Sequence, residues 1–236
     1  SLLRIQSPTG YLLVFYPSIF GLLLSAESYE HLFILPLFFI GSILGRGAGC
    51  IINDIIDKKL DKYVNRTKNR ALASGALSTH QAIKFLSLIL LICVCILLSL
   101  SITSIMVGFI AFCLILIYPM MKRITYFPQV FLGFTFNLGC LIAYASRLDY
   151  ISDDVFLLYV GCGFWTIGYD TIYAFMDLED DKKIGIKSTA VYFEKRSYRL
   201  WISIFYMLFI LLFCNVNANA GNYFSVFIAL ITVPII

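Results

Sequence analysis

Residues 32–61 read LFILPLFFIGSILGRGAGCIINDIIDKKLD. Positions 32–52 carry one charge, Arg46; the next nine carry three acids and two lysines. An apolar run of that length fits the roughly 20 residues that cross about 30 Å of hydrocarbon as a helix. The acids then fall at one rim of the membrane. Similar runs lie near 10–26, 83–100, 102–119, 129–146, 154–176, 200–214 and 223–236. The reading is an all-α integral membrane protein of eight transmembrane helices. The runs are continuous, whereas barrel strands alternate apolar and polar residues over about ten positions.

Composition agrees. The chain is 60% hydrophobic and 14% charged, against about a quarter charged in soluble domains. Residues 1–236 are read as one transmembrane domain. The last run has about 14 residues, short for a span, so the segment is expected to stop inside a helix. The first residue is Ser1 rather than Met, so the true start is also expected to lie elsewhere. The seven cysteines are scattered through or beside the apolar runs. Cys93 and Cys95 do not have metal-ligand spacing, so apolar filling is the reading.

Lysine and arginine set the orientation. Arg4, the 58–70 connection, Lys122-Arg123 and the 182–199 connection all fall on one side if the helices alternate. The opposite connections hold Glu27, Glu30, Asp149, Asp153, Asp154 and a single base, Arg147. The basic side is therefore expected in the cytoplasm. This asymmetry also accounts for the net charge of +4 without a nucleic acid partner. The chain divides into two four-helix halves, with an acidic cluster closing the second and the sixth run. Repeat-built membrane proteins commonly place their site at the repeat interface, here a central cavity.

The first cluster is Asn53, Asp54, Asp57 and Asp61. At about 100° per residue, Asn53, Asp57 and Asp61 share a helical face, with Arg46 on it and Asp54 beside it. A solvated helix end is the bland alternative, but acids at this spacing repel unless a cation sits among them. The second cluster sets Asp170, Asp177 and Asp181 on one face, bordered by Tyr173. Asp170 lies two turns inside the apolar run, where a carboxylate costs about 2.5–3.5 kcal/mol. Oxygen-only donors suit magnesium, calcium or manganese, and magnesium commonly binds carboxylates together with substrate phosphates. Lys122, Arg123, Arg66 and Arg70 could neutralise the remaining phosphate oxygens. For these four, simple positive-inside topology is the alternative.

The pattern Asn53-Asp54-x-x-Asp57-x-x-x-Asp61, followed by Tyr169-Asp170-x-x-Tyr173-Ala174-x-x-Asp177-x-x-x-Asp181, resembles the UbiA-type intramembrane prenyltransferases. Within them it is most similar to the 4-hydroxybenzoate polyprenyltransferases of ubiquinone biosynthesis. Gly45-Arg46-Gly47-Ala48-Gly49-Cys50 and Lys183-Ile184-Gly185-Ile186-Lys187-Ser188-Thr189 carry the finer likeness, which runs from about residue 4 to 193. Members usually have nine helices. The first turn departs from the family: Arg4-Ile5-Gln6-Ser7-Pro8 stands where many relatives have Arg-x-Asp-Lys-Pro.

The resemblance implies a Mg²⁺-dependent transfer from polyprenyl diphosphate to the ring of 4-hydroxybenzoate, in a bacterial or mitochondrial inner membrane. Asn53, Asp57 and Asp61 are expected at one magnesium, with Asp54 nearby, and Asp177 and Asp181 at a second. Lys122 and Arg123 would grip phosphate, with Arg66 and Arg70 beside them. Arg46 would take the acceptor carboxylate; pairing with Asp57 or Asp61 is its alternative. Asp170 would position the phenol or receive the ring proton, and Tyr118 and Tyr173 would face the allylic cation. The rival readings are a sibling enzyme with another aromatic acceptor, a transporter and a membrane scaffold. A transporter site should lie near the midplane with discontinuous helices, whereas both clusters lie at one face.

Overall fold

The structure is a computed structural model that describes residues 2–64 and 67–221. Its elements are all helical: α1 (Pro8–Ser25), α2 (Leu35–Ile56), α3 (Thr79–Leu98), α4 (Ile102–Ile124), α5 (Pro128–Phe136), α6 (Leu138–Leu148), α7 (Asp153–Phe175), α8 (Leu178–Ile184), α9 (Thr189–Phe193) and α10 (Tyr198–Asn219). Seven spans among the described residues are long and apolar enough to cross a membrane, with α5 and α6 forming one of them. The eighth apolar run, 223–236, lies outside the described residues.

Local chemistry starts and stops these helices. Ser78 and Gln81 form a capping box at α3, and Ser101 and Ser152 cap α4 and α7, satisfying amide donors that have no partner in the first turn. Pro8 and Pro128 stand at first helical positions, where the missing N–H costs nothing.

Burial sorts the helices into an inner and an outer set. Over an apolar stretch of 18 residues in each, 61% of the α5–α6 span is buried, against 6% of α10. The outer set, with α3 and α4, presents Leu91, Phe109 and Leu211 outward. In lipid such exposure costs nothing, so packing decides the inner set. A core of Leu141, Tyr144, Val155, Leu158, Cys162 and Val216 joins α6, α7 and α10. Helix α1 lies along α6. At Gly21 a Cβ would run into the Cys140 carbonyl, so this close approach depends on the absent side chain.

The 129–146 run reads as a single helix in sequence, but the span breaks at Asn137. This residue is fully buried, and its Nδ2 donates to the Gly133 carbonyl, to the Cys162 carbonyl at 3.1 Å and to Thr166 Oγ1 at 2.8 Å. A side-chain amide takes over where the ladder is interrupted, which a hydrocarbon interior requires.

Two further differences concern the acids. The facial reading assumes helix through Asp61 and through Asp181. Instead α2 ends at Ile56 and α7 at Phe175. The register survives because Asp57 N–H donates to the Asn53 carbonyl and Asp61 N–H to the Asp57 carbonyl, each at 2.9 Å. Likewise Asp181 N–H donates to the Asp177 carbonyl at 2.9 Å.

Candidate active site

Both clusters sit at the basic end of the bundle, on a cavity of about 860 Å³, within the range of small-molecule sites. Asn53 and Asp61 reach it from the end of α2, and Asp170, Asp177 and Asp181 from α7 and the α7–α8 joint. Below them the wall turns apolar, with Leu13, Phe38, Leu97, Leu132 and Ile142.

The first cluster is held by cations. Asp57 is fully buried, and its carboxylate pairs with Lys122 Nζ and, at 3.1 Å, with Arg123 Nη2. Arg70 Nη1 bridges Asp61 Oδ2 at 2.8 Å and Asp54 Oδ1 at 3.1 Å. Arg4 also pairs with Asp54. These contacts satisfy carboxylates that could not otherwise remain charged away from water. They also knit α2 to the chain before α1, to the loop after α2 and to α4. Asp54 and Asp57 therefore stand behind the cavity wall, whereas Asn53 and Asp61 are on it.

The structure brings Lys122, Arg70, Arg46, Tyr118, Tyr173 and Asp170 onto the same cavity. Arg123 is about half exposed and reaches Asp57 from outside the cavity lining. Arg66 lies outside the described residues. Arg46 pairs with neither Asp57 nor Asp61 among the described residues. Its guanidinium contacts Cys50 Sγ, and its Nε is buried without a hydrogen-bond partner. At Gly10 a Cβ would come within 2.5 Å of that Nε, so the glycine makes room for the arginine. Tyr169 Oη, on the same cavity, is likewise buried and unpartnered among the described residues.

A strap joins the two halves at this end. Lys187 N–H donates to the Lys122 carbonyl at 2.9 Å, and Lys187 Nζ to the Ile124 carbonyl at 3.0 Å. Thr189 N–H donates to Gln129 Oε1 at 3.1 Å, and the Thr171 and Thr189 hydroxyls bond at 2.8 Å. Spacing could not disclose Gln129, Thr171 or the Arg4–Asp54 pair, because their partners are distant in the chain. The motif segment around Lys187 marked that residue but not the bonds it makes.

No group of three or more His, Cys, Asp or Glu among the described residues is placed to hold a metal alone. What the site offers is oxygen donors on two sides of a cavity whose deeper wall is apolar, with cations beside them. That arrangement suits a highly charged anion that brings further oxygen ligands with it.

Known proteins resemble this chain throughout. A 4-hydroxybenzoate octaprenyltransferase of Vesicomyosocius okutanii is 36% identical over 234 residues, 99% of this chain and 85% of that protein. One of Aliivibrio fischeri is 40% identical over 194 residues, 82% of this chain and 68% of that protein. In fold, the apo structure of a UbiA homolog from Aeropyrum pernix superposes with a TM-score of 0.78 at 20% identity, covering 96% of this chain and 88% of that one. A UbiA homolog from Archaeoglobus fulgidus bound to GPP and Mg²⁺ gives 0.73 at 17% identity, covering 100% and 86%. The UbiA prenyltransferase family itself matches residues 14–236, and the chain belongs to that family.

Proposed function

We propose that this chain transfers a polyprenyl group from its diphosphate to the ring of 4-hydroxybenzoate, releasing diphosphate. The observation that carries this reading is the cavity. Oxygen donors from α2 and from the α7–α8 joint meet at one end of it, cations flank them, and the remaining wall is apolar. The relatives named 4-hydroxybenzoate octaprenyltransferase support the choice of donor and acceptor.

The donor set fits magnesium, since Asn53, Asp61, Asp177 and Asp181 present only oxygen on the cavity. These four would hold it, with Asp57 and Asp54 behind them in reach of the same end. Bound there, Mg²⁺ neutralises charge on the diphosphate as a Lewis acid.

The chain's own residues do the rest. Ionising an allylic C–O bond leaves negative charge on the departing diphosphate. Lys122 and Arg70 on the cavity, with Arg123 behind them on Asp57, would stabilise that charge more as it develops, which lowers a barrier. The diphosphate gives Lys122 a more highly charged partner than Asp57 alone. The apolar wall below keeps water from the allylic carbon. The rings of Tyr118 and Tyr173 offer their faces to it. Arg46, with its unpartnered Nε, takes the acceptor carboxylate, and Asp170 receives the ring proton. The basic end faces the cytoplasm of a bacterial inner membrane by the positive-inside rule.

Membranes containing the protein, Mg²⁺, geranyl diphosphate and a panel of aromatic acids provide the test. Prenylated 4-hydroxybenzoate is the expected product. Absence of prenylated product with every acid overturns the reading.

A further inference from the structure

Gln129, the second residue of α5, lies on the cavity wall, yet only 5% of it is exposed. Its Oε1 accepts the Thr189 N–H at 3.1 Å. Only the oxygen of a side-chain amide can accept, so this bond fixes which way the group is turned. Nε2 then carries two hydrogens that no acceptor among the described residues takes. Nor is it among the sealed, unpartnered atoms of the interior. With the rest of the residue buried, that donor opens onto the cavity.

The strap holds the amide in place. Thr189 is fully buried, and its hydroxyl bonds that of Thr171 at 2.8 Å. Thr171 follows Asp170 in α7, which sets Gln129 at about the depth of Asp170. Asp177 comes seven residues later, about 10 Å nearer the rim. The next cavity residue on α5 is Leu132, where the apolar wall begins. A neutral donor thus marks the boundary between the charged rim and the apolar wall.

That boundary is where the bond to be broken lies in the function proposed above, on which this inference rests. The diphosphate is held at the rim and the prenyl chain against the apolar wall. We infer that Gln129 Nε2 donates to a diphosphate oxygen at the carbon-bearing end of the prenyl donor, and that the strap aims it there. Charge explains the choice of residue. As the C–O bond breaks, its electron pair goes to the departing oxygen and the allylic carbon turns positive. A lysine or arginine this close stabilises the oxygen but repels the carbon. A primary amide stabilises the oxygen without a net charge to oppose the carbon, and an amide fixed in advance needs no reorganisation as the bond breaks.

Gln129→Glu separates the two ends of the side chain. Its carboxylate still accepts the Thr189 N–H, but an oxygen replaces the donor. In lipid, with geranyl diphosphate and Mg²⁺, kcat is expected to fall at least about tenfold, the loss of one hydrogen bond to a charged group. Affinity for magnesium diphosphate, read by calorimetry, is expected to fall by a similar factor, while the KM for 4-hydroxybenzoate stays near that of the parent. Unchanged kcat and diphosphate affinity, or a change confined to the KM for 4-hydroxybenzoate, overturns the inference. A second measurement leaves Gln129 in place. The other glutamines, Gln6 and Gln81, are exposed, and Gln6→Ala with Gln81→Glu leaves Gln129 the only one. In glutamine-labelled protein its side-chain amide resonances are expected to shift when magnesium diphosphate is added, and unmoved resonances overturn the inference. Failure of the unsubstituted protein to prenylate any aromatic acid overturns the proposed function instead.

Discussion

Asp54, Asp57 and Asp61, at and just after the end of α2, are buried against Arg4, Arg70, Lys122 and Arg123, whereas Asp170, Asp177 and Asp181, on α7 and α8, are only partly buried on the cavity wall. The donor chemistry is the same, but the neighbourhoods differ. Near α2 the carboxylates are nearly or fully buried, and their partners come from three other segments. They tie the bundle together, and Asp61 also lines the cavity. In the second set Asp170 lies in α7, Asp177 at the start of α8 and Asp181 within it, and the other side of that short helix carries Lys182 and Lys183 near Glu179 and Asp180. One set is built into the architecture, and the other is mounted on it.

Substitutions can break that contrast. Asp57→Ala should lose prenyl transfer by at least about 100-fold. It should also destabilise the protein by on the order of 3 kcal/mol, because Lys122 and Arg123 lose a buried partner. Adding Lys122→Met should restore most of the melting midpoint and none of the activity. A single variant as stable as the parent would erase the contrast. Asp177→Ala should lose as much transfer while its melting midpoint moves less than that of Asp57→Ala, because Asp177 is only partly buried and Asp57 fully so. A large thermal shift there would put both clusters in one class.

Arg46→Ala sharpens the comparison from the acceptor side. It should raise the KM for 4-hydroxybenzoate about tenfold, the loss of one charge-assisted bond, and barely change that for the donor. The reverse pattern would move Arg46 to the diphosphate. The smallest effect is at Lys182. Glu194 accepts its hydrogen bond and raises its pKa above the ordinary 10.5. A raised lysine pKa contributes stability below the unfolded value and loses it as pH rises through the folded one. Glu194→Gln should therefore lower the melting midpoint slightly at pH 8, and the difference should shrink above about pH 10.5.

Much of the fold was legible because lipid imposes a length rule. The runs 32–52 and 154–176 became Leu32–Ile56 and Asp153–Phe175 with little change. The acids were legible because charge at a membrane rim is conspicuous. The breaks were less so. The span at Asn137 keeps its hydropathy across the interruption, and its stabilising partners lie on α7. The ends of α2 and α7 fall before the last acids of each motif, although hydrogen bonds preserve the spacing. Arg4 as the partner of Asp54, fifty residues away, leaves no local pattern at all.

The Lys187–Lys122 strap is a bond between two main chains. Replacing either side chain with alanine leaves the amide and the carbonyl where they were. An alanine survey would therefore register only the side-chain bonds beside it, such as Lys187 Nζ to the Ile124 carbonyl, and proline at 187, which lacks the donor, is the substitution that reads this main-chain stitch between the end of α4 and the segment before α9.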